Sequence, residues 1–325
     1  MTTRRDLDLR TLPHQPPASV TWVEDEPWPV PALGISLDDL VEPAGRAARM
    51  MPAAVHDALV SFADEPHLSG ALLVRGAPIG SFGATPSSPT AVGPKDLTSE
   101  FTLLAVARRL GQPVGYLPEH GGDIVQNIVP VAGTADRQVS TSSKVELMFH
   151  TEAAFHPHRP RYLVLLCLRG DPAAHTTLSS ISEVLPLLPH DVVDTLFAPR
   201  FRTAVDESYL HGRQNVLGAP MAVLSGRRDR PTMVFDADLM VGVDGEADDA
   251  LQALGTAVAA HSTSVSLCAG DVLVVDNTVA VHGRTPFVPR FDGTDRWLQR
   301  SFVVADLAPS AGERRGRVVV TDFGV

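Results

Sequence analysis

The chain has 325 residues, 44% of them hydrophobic and 20% charged, with a formal net charge of -11. That acidic balance argues against a nucleic-acid partner, whose phosphates call for a basic face. No apolar run of about eighteen residues occurs, which excludes an ordinary membrane-spanning helix.

At this length one strand-rich domain over residues 1–325 is expected. The opening MTTRRDLDLRTLPHQPP is charged and proline-containing and lacks an apolar core, so a secretory leader is not expected. Cys167 and Cys268 lie in apolar, strand-like text without ligand spacing. They read as buried thiols of a reduced, cytoplasmic protein.

Residues 1–35, with six prolines from Pro13 to Pro31, read as an arm or edge segment. Helical signals follow over 37–65: Ser36 can cap one helix, and the text from Pro52 to Phe62 is amphipathic. Gly70 and Gly76 bound a short buried strand, and residues 77–94 form an exposed loop rich in Pro, Ser and Gly. Thr98 opens a helix with an apolar stripe at Phe101, Leu104, Ala105 and Leu110. From Gly122 the text turns strand-like, over 124–129 and 161–168. Residues 181–197 are helical pieces broken at Pro186 and Pro189. Residues 206–230 are polar and weakly periodic, as a mobile lid is, and the cluster Arg227, Arg228 and Arg230 reads as a solvated turn. Further strands are expected near 232–235, 264–268, 272–275 and 297–304, with a helix over 248–261. Helices early and strands late give an α+β protein with a mainly β core. The expected plan is a helix-rich portion over 1–121, a distorted jelly roll over 122–305 with helices packed on one sheet, and the lid at 206–230.

The chemistry-bearing residues are spaced in a particular way. His150 and Glu152 stand in VELMFHTEAAFHPHRP, and His282 follows 132 positions later in DVLVVDNTVAVHGRTPF. Two imidazoles and one carboxylate on one face of a metal make the facial triad of non-haem Fe(II) sites. In a strand, residues i and i+2 point the same way, so His150 and Glu152 can grip one ion while Thr151 faces away. Arg296 and Arg300 come 14 and 18 residues after His282, in phase to share a strand face and hold carboxylates. The plain alternative for Arg296 is a surface ion pair with Asp295 or Asp292. Asp236 and Asp238 are again at i and i+2. Two carboxylates on one strand face repel unless a cation lies between them, and a guanidinium or ammonium satisfies both. A turn before Leu239 is the alternative. His156 and His158 read as structural, Trp297 as core, and Asp276 with Asn277 as the turn that aims His282 through local backbone hydrogen bonds. Neither a GxxxxGK[ST] phosphate loop nor a GxSxG elbow is present.

Between about Val125 and Ala305, the passages HTEAAFHPHRPRYLVLLCLRGD, TTLSS, VFDADLMVGVDG and VDNTVAVHGRTPFVPRFDGTDRWLQRSFV carry a family resemblance. The chain resembles the clavaminate synthase-like branch of the taurine-dioxygenase type Fe(II)/2-oxoglutarate oxygenases, which includes hydroxylases of free arginine and asparagine in peptide-antibiotic pathways. The resemblance implies a double-stranded β-helix. It implies Fe(II) on His150, Glu152 and His282, with 2-oxoglutarate taking two further positions and O2 the third. Arg296 and the Thr177 hydroxyl would hold the distal carboxylate of 2-oxoglutarate, and Arg300 the α-carboxylate of the substrate. Gln126 and Ser140 match positions that contact the amino-acid backbone, and Glu152 can accept from the α-amino group with its second oxygen. The expected reaction is hydroxylation of a free basic L-amino acid at C3 or C4, with succinate and CO2 as coproducts. Arginine leads, then citrulline and lysine. The rivals are desaturation or ring closure on a guanidino-bearing pathway intermediate, and hydroxylation of a carrier-bound aminoacyl group. Outside the class stand a zinc hydrolase using the same three ligands and a non-catalytic jelly-roll binding protein. The partner is thus a small molecule, with neither nucleic acid nor membrane, and the oligomeric state is not encoded in any motif.

Overall fold

In the computed structural model, which describes residues 15–24, 26–31, 34–210 and 214–323, helices begin where caps and apolar spacing coincide. The Pro13 end of the expected arm and residues 211–213 of the expected lid lie outside the described residues. The first elements are β1 (Ala18–Thr21), α1 (Leu37–Ala47), α2 (Ala53–Asp64), β2 (Ala71–Arg75), α3 (Thr98–Leu110) and β3 (Gln112–Tyr116). Ser36 caps α1, its Oγ accepting from the Asp39 N–H at 3.1 Å and satisfying one of the orphan donors of the first turn. Next come β4 (Gln126–Ile128), β5 (Leu147–His150), β6 (Tyr162–Arg169), β7 (His175–Ser180), α4 (Ile181–Val184), α5 (His190–Leu196), β8 (Phe201–Thr203) and α6 (Glu207–Leu210). The hairpin β9 (Leu224–Arg227) and β10 (Arg230–Met233), then β11 (Met240–Gly242) and α7 (Gly245–Ala260), complete the middle of the chain. The last strands are β12 (Thr263–Ser266), β13 (Val272–Asp276), β14 (Ala280–Arg284), β15 (Trp297–Val304), β16 (Arg314–Arg315) and β17 (Val318–Val319).

Two sheets carry the architecture. The larger runs β1-β2-β13-β6-β15-β3-β17-β16 with β4 also on β15, and the smaller runs β12-β7-β14-β5. Strand alternation decides what each face meets. On β15, Leu298 and Phe302 point into a core shared with Leu178 of β7 and Ala280 of β14, so the two sheets pack face to face. Trp297 and Val303 of the same strand point outward, into a layer with Leu103 and Leu104 of α3. On the far side Val281 of β14 meets Leu254 and Val258 of α7.

Two expectations change here. Helices cover the outer faces of both sheets, because both sheets are apolar on both sides. The first 121 residues also give β1, β2 and β3 to the large sheet. β3 escapes a reading by pattern because QPVGY contains Pro and Gly, which weaken strand signals. The hairpin of β9 and β10 likewise replaces the far half of the expected lid, with Arg227 paired to Asp229 at its tip. Both cysteines are free; Cys167 is buried as expected, whereas Cys268 is exposed. Among the described residues no helix is long and apolar enough to cross a membrane.

Candidate active site

The inward face of β14 sends Ala280, His282 and Arg284 toward the space between the sheets, and register puts His282 directly opposite His150 of β5. The His150 Nδ1–H donates to the Met148 carbonyl at 2.8 Å, which leaves Nε2 as the lone-pair nitrogen. Glu152 arrives differently from the expected i, i+2 strand geometry. β5 ends at His150, and Glu152 lies in the following turn, next to Ala153 at φ 51°. Asn277 fixes that turn: its Oδ1 accepts from the Glu152 N–H at 2.7 Å, and its Nδ2 donates to the carbonyls of Glu152 at 3.1 Å and Pro160 at 2.9 Å. The expectation of purely local hydrogen bonds holds for Asp276, which accepts from Thr278, but Asn277 reaches across the chain. His156 is buried, with its Nδ1 accepting from the His158 N–H, in keeping with a structural role.

One ligand atom from each of His150, Glu152 and His282 lies within 4.8 Å of the others. Glu152 Oε2 is buried and accepts no hydrogen bond. Burial pushes the Glu152 carboxyl up, but Arg300, His282 and His150 outweigh it and hold it at about 2. Burial and the neighbouring His150 lower His282 to about 4. Burial pushes His150 down, but Glu152 and Asp236 outweigh it and raise it, an excess of negative charge that a bound cation would offset; with a carboxylate and two imidazoles converging, the three residues fit a divalent cation.

The triad opens into a cavity of about 490 Å³. Alternation on β15 brings Leu298 and Arg300 into it, and Arg296, just before the strand, joins them. The two arginines differ. Arg296 is buried, and among the described residues it makes no hydrogen bond or ion pair; burial lowers it to about 10. Asp295 accepts from the Arg290 N–H instead, so the surface pair is not formed. Arg300, by contrast, is held. Its Nε and Nη2 donate to Gln126 Oε1 at 2.9 and 2.6 Å, Nη2 pairs with Glu119, and Nη1 lies 3.5 Å from Glu152 Oε2. Gln126 therefore braces Arg300 across the β4–β15 pairing, and it is Glu119 that lines the cavity.

Thr177 needs a correction as well. On β7, Thr176 stands opposite Arg284 and shares its inward face, whereas Thr177 stands opposite Gly283 and faces away. The cavity is accordingly lined by Thr176. Asp236 and Asp238 both line it, but from a turn in place of a strand face: Asp236 Oδ1 accepts the N–H of Asp238 at 2.9 Å and of Leu239 at 2.8 Å. Ser140 lines the opposite wall.

Two acids in the cavity carry no sequence signal. Burial raises Glu119, although Arg300 works against it. Burial, then the charges of Glu119 and Glu152, raise Asp206 to about 7. Glu119 sits in YLPEHGG and Asp206 in AVDESYL, ordinary loop text whose importance comes from what β15 and β5 place opposite.

The comparisons with known proteins agree with this geometry. L-asparagine oxygenase of Streptomyces coelicolor is 41% identical over 279 residues, 84% of this chain and 83% of that protein. L-lysine 3-hydroxylase of Catenulispora acidiphila is 41% identical over 293 residues, 88% and 82% of the two chains. A crystal structure of asparagine oxygenase with Fe(II), 2S,3S-3-hydroxyasparagine and succinate superposes with a TM-score of 0.81 at 39% identity, covering 86% of this chain and 89% of that one. The non-haem iron oxygenase OrfP, with Fe, succinate and (3S)-hydroxy-L-Arg, gives 0.78 at 33% identity over 87% and 91%. The family model described as taurine catabolism dioxygenase TauD, TfdA family matches residues 70–302, and the chain belongs to that family.

Proposed function

We propose that this protein hydroxylates a free L-amino acid with a basic side chain at C3 or C4, arginine first, with lysine and citrulline next. It is an iron(II)- and 2-oxoglutarate-dependent oxygenase of amino acids. We read the two facing sheets as its double-stranded β-helix, the chain as one oxygenase domain, and the cavity-lining stretch around α6 as its lid.

In this reading His150, Glu152 and His282 hold the iron, and Arg296 with Thr176 receives the distal carboxylate of 2-oxoglutarate. Iron, 2-oxoglutarate and O2 together supply oxidative C–H chemistry, with succinate and CO2 as coproducts. The chain's own task is to bind, orient and exclude water. The observation that carries the substrate class is the charge layout around Arg300. Glu119 and Arg300 form an ion pair beside Glu152, complementary to the ammonium and carboxylate of an α-amino acid. The α-carboxylate takes the guanidinium from Glu119, and Glu119 and Glu152 then face the α-ammonium. Beyond them Asp206, Asp236 and Asp238 line the cavity, and among the described residues none of the three is paired with an arginine or lysine, which suits a cationic side chain. A thioester has no carboxylate to exchange with Arg300, which disfavours a carrier-bound substrate.

The test is succinate release by the Fe(II)-loaded protein with 2-oxoglutarate across the free amino acids, asparagine included as the neutral control. A gain of one oxygen on a basic amino acid, matched one-to-one by succinate, supports the reading. Turnover of asparagine alone overturns the basic class, and loss of two hydrogens turns the reaction into desaturation or ring closure. Glu152→Ala should remove iron-dependent turnover; substantial residual activity takes Glu152 out of the ligand set.

A further inference from the structure

Arg284 is a buried cation for which the metal site has no use. It lies on the inward face of β14, two positions beyond His282 and opposite Thr176, with a side chain that lines the cavity and is 3% exposed. It sits within electrostatic reach of Arg296. Among the described residues neither guanidinium has a carboxylate partner. Two buried like charges without a counter-ion are unfavourable, and an anion entering that end relieves both.

Three of the four hydrogen bonds of Arg284 go to one short stretch, residues 142–145. Nη2 donates to Ser142 Oγ at 2.8 Å and to the Val145 carbonyl at 3.3 Å; Nη1 reaches the carbonyls of Thr285 at 3.2 Å and Ser143 at 3.5 Å. Ser142 and Ser143 are fully buried, and the Ser143 carbonyl also accepts from the Phe287 N–H at 2.8 Å. This fork grips the base of the loop that gives Arg137 and Ser140 to the cavity lining. Arg137 in turn forms an ion pair with Glu207 at the start of α6. One side chain thus touches the anion end and anchors the opposite wall.

We propose that Arg284 is a positioning residue that couples the 2-oxoglutarate end of the cavity to the loop over residues 137–146, so that cosubstrate binding orders the wall against which the amino acid docks. The inference rests on the reading that Arg296 receives 2-oxoglutarate. A keto acid drawn to both guanidiniums fixes Arg284, and the fixed fork fixes Ser142, Ser143 and Val145. Coupling of this kind is reciprocal, so an ordered loop also tightens 2-oxoglutarate.

The test uses Fe(II)-loaded protein kept anaerobic, with 2-oxoglutarate as the probe. Hydrogen exchange of peptides over 137–146 is followed with and without it, and its affinity is measured by calorimetry. In the wild type, 2-oxoglutarate should slow exchange in this loop. Arg284→Met should weaken 2-oxoglutarate by about tenfold, in line with loss of a charge-assisted interaction, and abolish the loop protection at saturation. Arg284→Lys, which keeps the charge and loses the fork, should weaken 2-oxoglutarate by less than Arg284→Met, only by the lost coupling, and still lose the protection. Ser142→Ala, which leaves both arginines in place, should blunt it and serves if the methionine variant does not fold. Loop protection unchanged in both Arg284→Lys and Ser142→Ala, or absent in the wild type, overturns the coupling. Arg296→Met separates the two claims: if it leaves 2-oxoglutarate binding unchanged, the cosubstrate reading itself has failed.

Discussion

Arg296 and Arg300 lie four positions apart, one just before β15 and one on it, face one cavity, and are opposite kinds of site. Among the described residues Arg296 is buried with no hydrogen-bond or ion-pair partner, and burial opposes its charge. Burial opposes the charge on Arg300 too, but Glu119 and Glu152 more than compensate, and its pKa is raised. The unpaired end accepts a carboxylate without giving anything up. The paired end must exchange one carboxylate for another, and it does so favourably only for a ligand that brings an ammonium for Glu119. On the proposed function, selectivity for a zwitterion follows from that exchange, whereas the other end asks only for an anion.

If the two arginines serve separate ligands, substitutions at each should affect one ligand and spare the other. The largest effect is expected from Arg296→Met: removal of the unpaired guanidinium proposed to receive the distal carboxylate should weaken 2-oxoglutarate by about hundredfold, roughly 3 kcal/mol. Amino-acid affinity should change much less; equal losses would mean that the two ends are not separate. Arg300→Met should show the mirror image, with the amino-acid KM raised by about hundredfold and 2-oxoglutarate affinity nearly intact. Glu119→Gln should cost the amino acid about tenfold, through the ammonium. Asp238→Ala should weaken a basic substrate several-fold and 2-oxoglutarate hardly at all. No change, or an equal change in both, removes Asp238 from the side-chain site.

The smallest effect is one of pH. Asp206, raised to about 7 from 3.8, is protonated in the folded protein below neutrality and charged above it. Affinity for a cationic side chain should therefore rise a few-fold between about pH 6 and 8, and Asp206→Asn should flatten the profile. Stability runs the other way. A carboxyl raised on folding contributes stability that is fully present below its unfolded value and lost as pH rises through its folded value of about 7, so the melting temperature of the wild type should fall relative to Asp206→Asn over that interval.

The sequence makes some of these groups legible and hides others for identifiable reasons. His150, Glu152 and His282, and the spacing of Arg296 with Arg300, are visible because residue types at short spacings are written locally, even where a turn rather than a strand delivers the side chain. The same alternation, misjudged by one residue, nominates Thr177 where Thr176 faces inward; a strand without apolar-polar contrast gives no register until β14 is laid beside it. Asp236 and Asp238 have a spacing that suits a strand face or a turn equally, and the Asp236 hydrogen bonds to Asp238 and Leu239 select the turn. Gln126 is nominated as a substrate contact, yet pairing with β15 turns it into a brace for Arg300. Glu119, Asp206 and Arg284 acquire their meaning from distant partners.

By itself the sequence determines the ligand types, the arginine phase, most helices and the later strands, since these depend on neighbours three or fewer turns away and on strong apolar periodicity. The tertiary structure decides which arginine is free and which is paired, that Asn277 rather than strand geometry aims Glu152, and that β1, β2 and β3 join the sheet behind the site. Those outcomes depend on desolvation and on hydrogen bonds between residues more than a hundred positions apart, such as Glu152 with Asn277, and no local pattern encodes the energy of a contact that only folding brings into being.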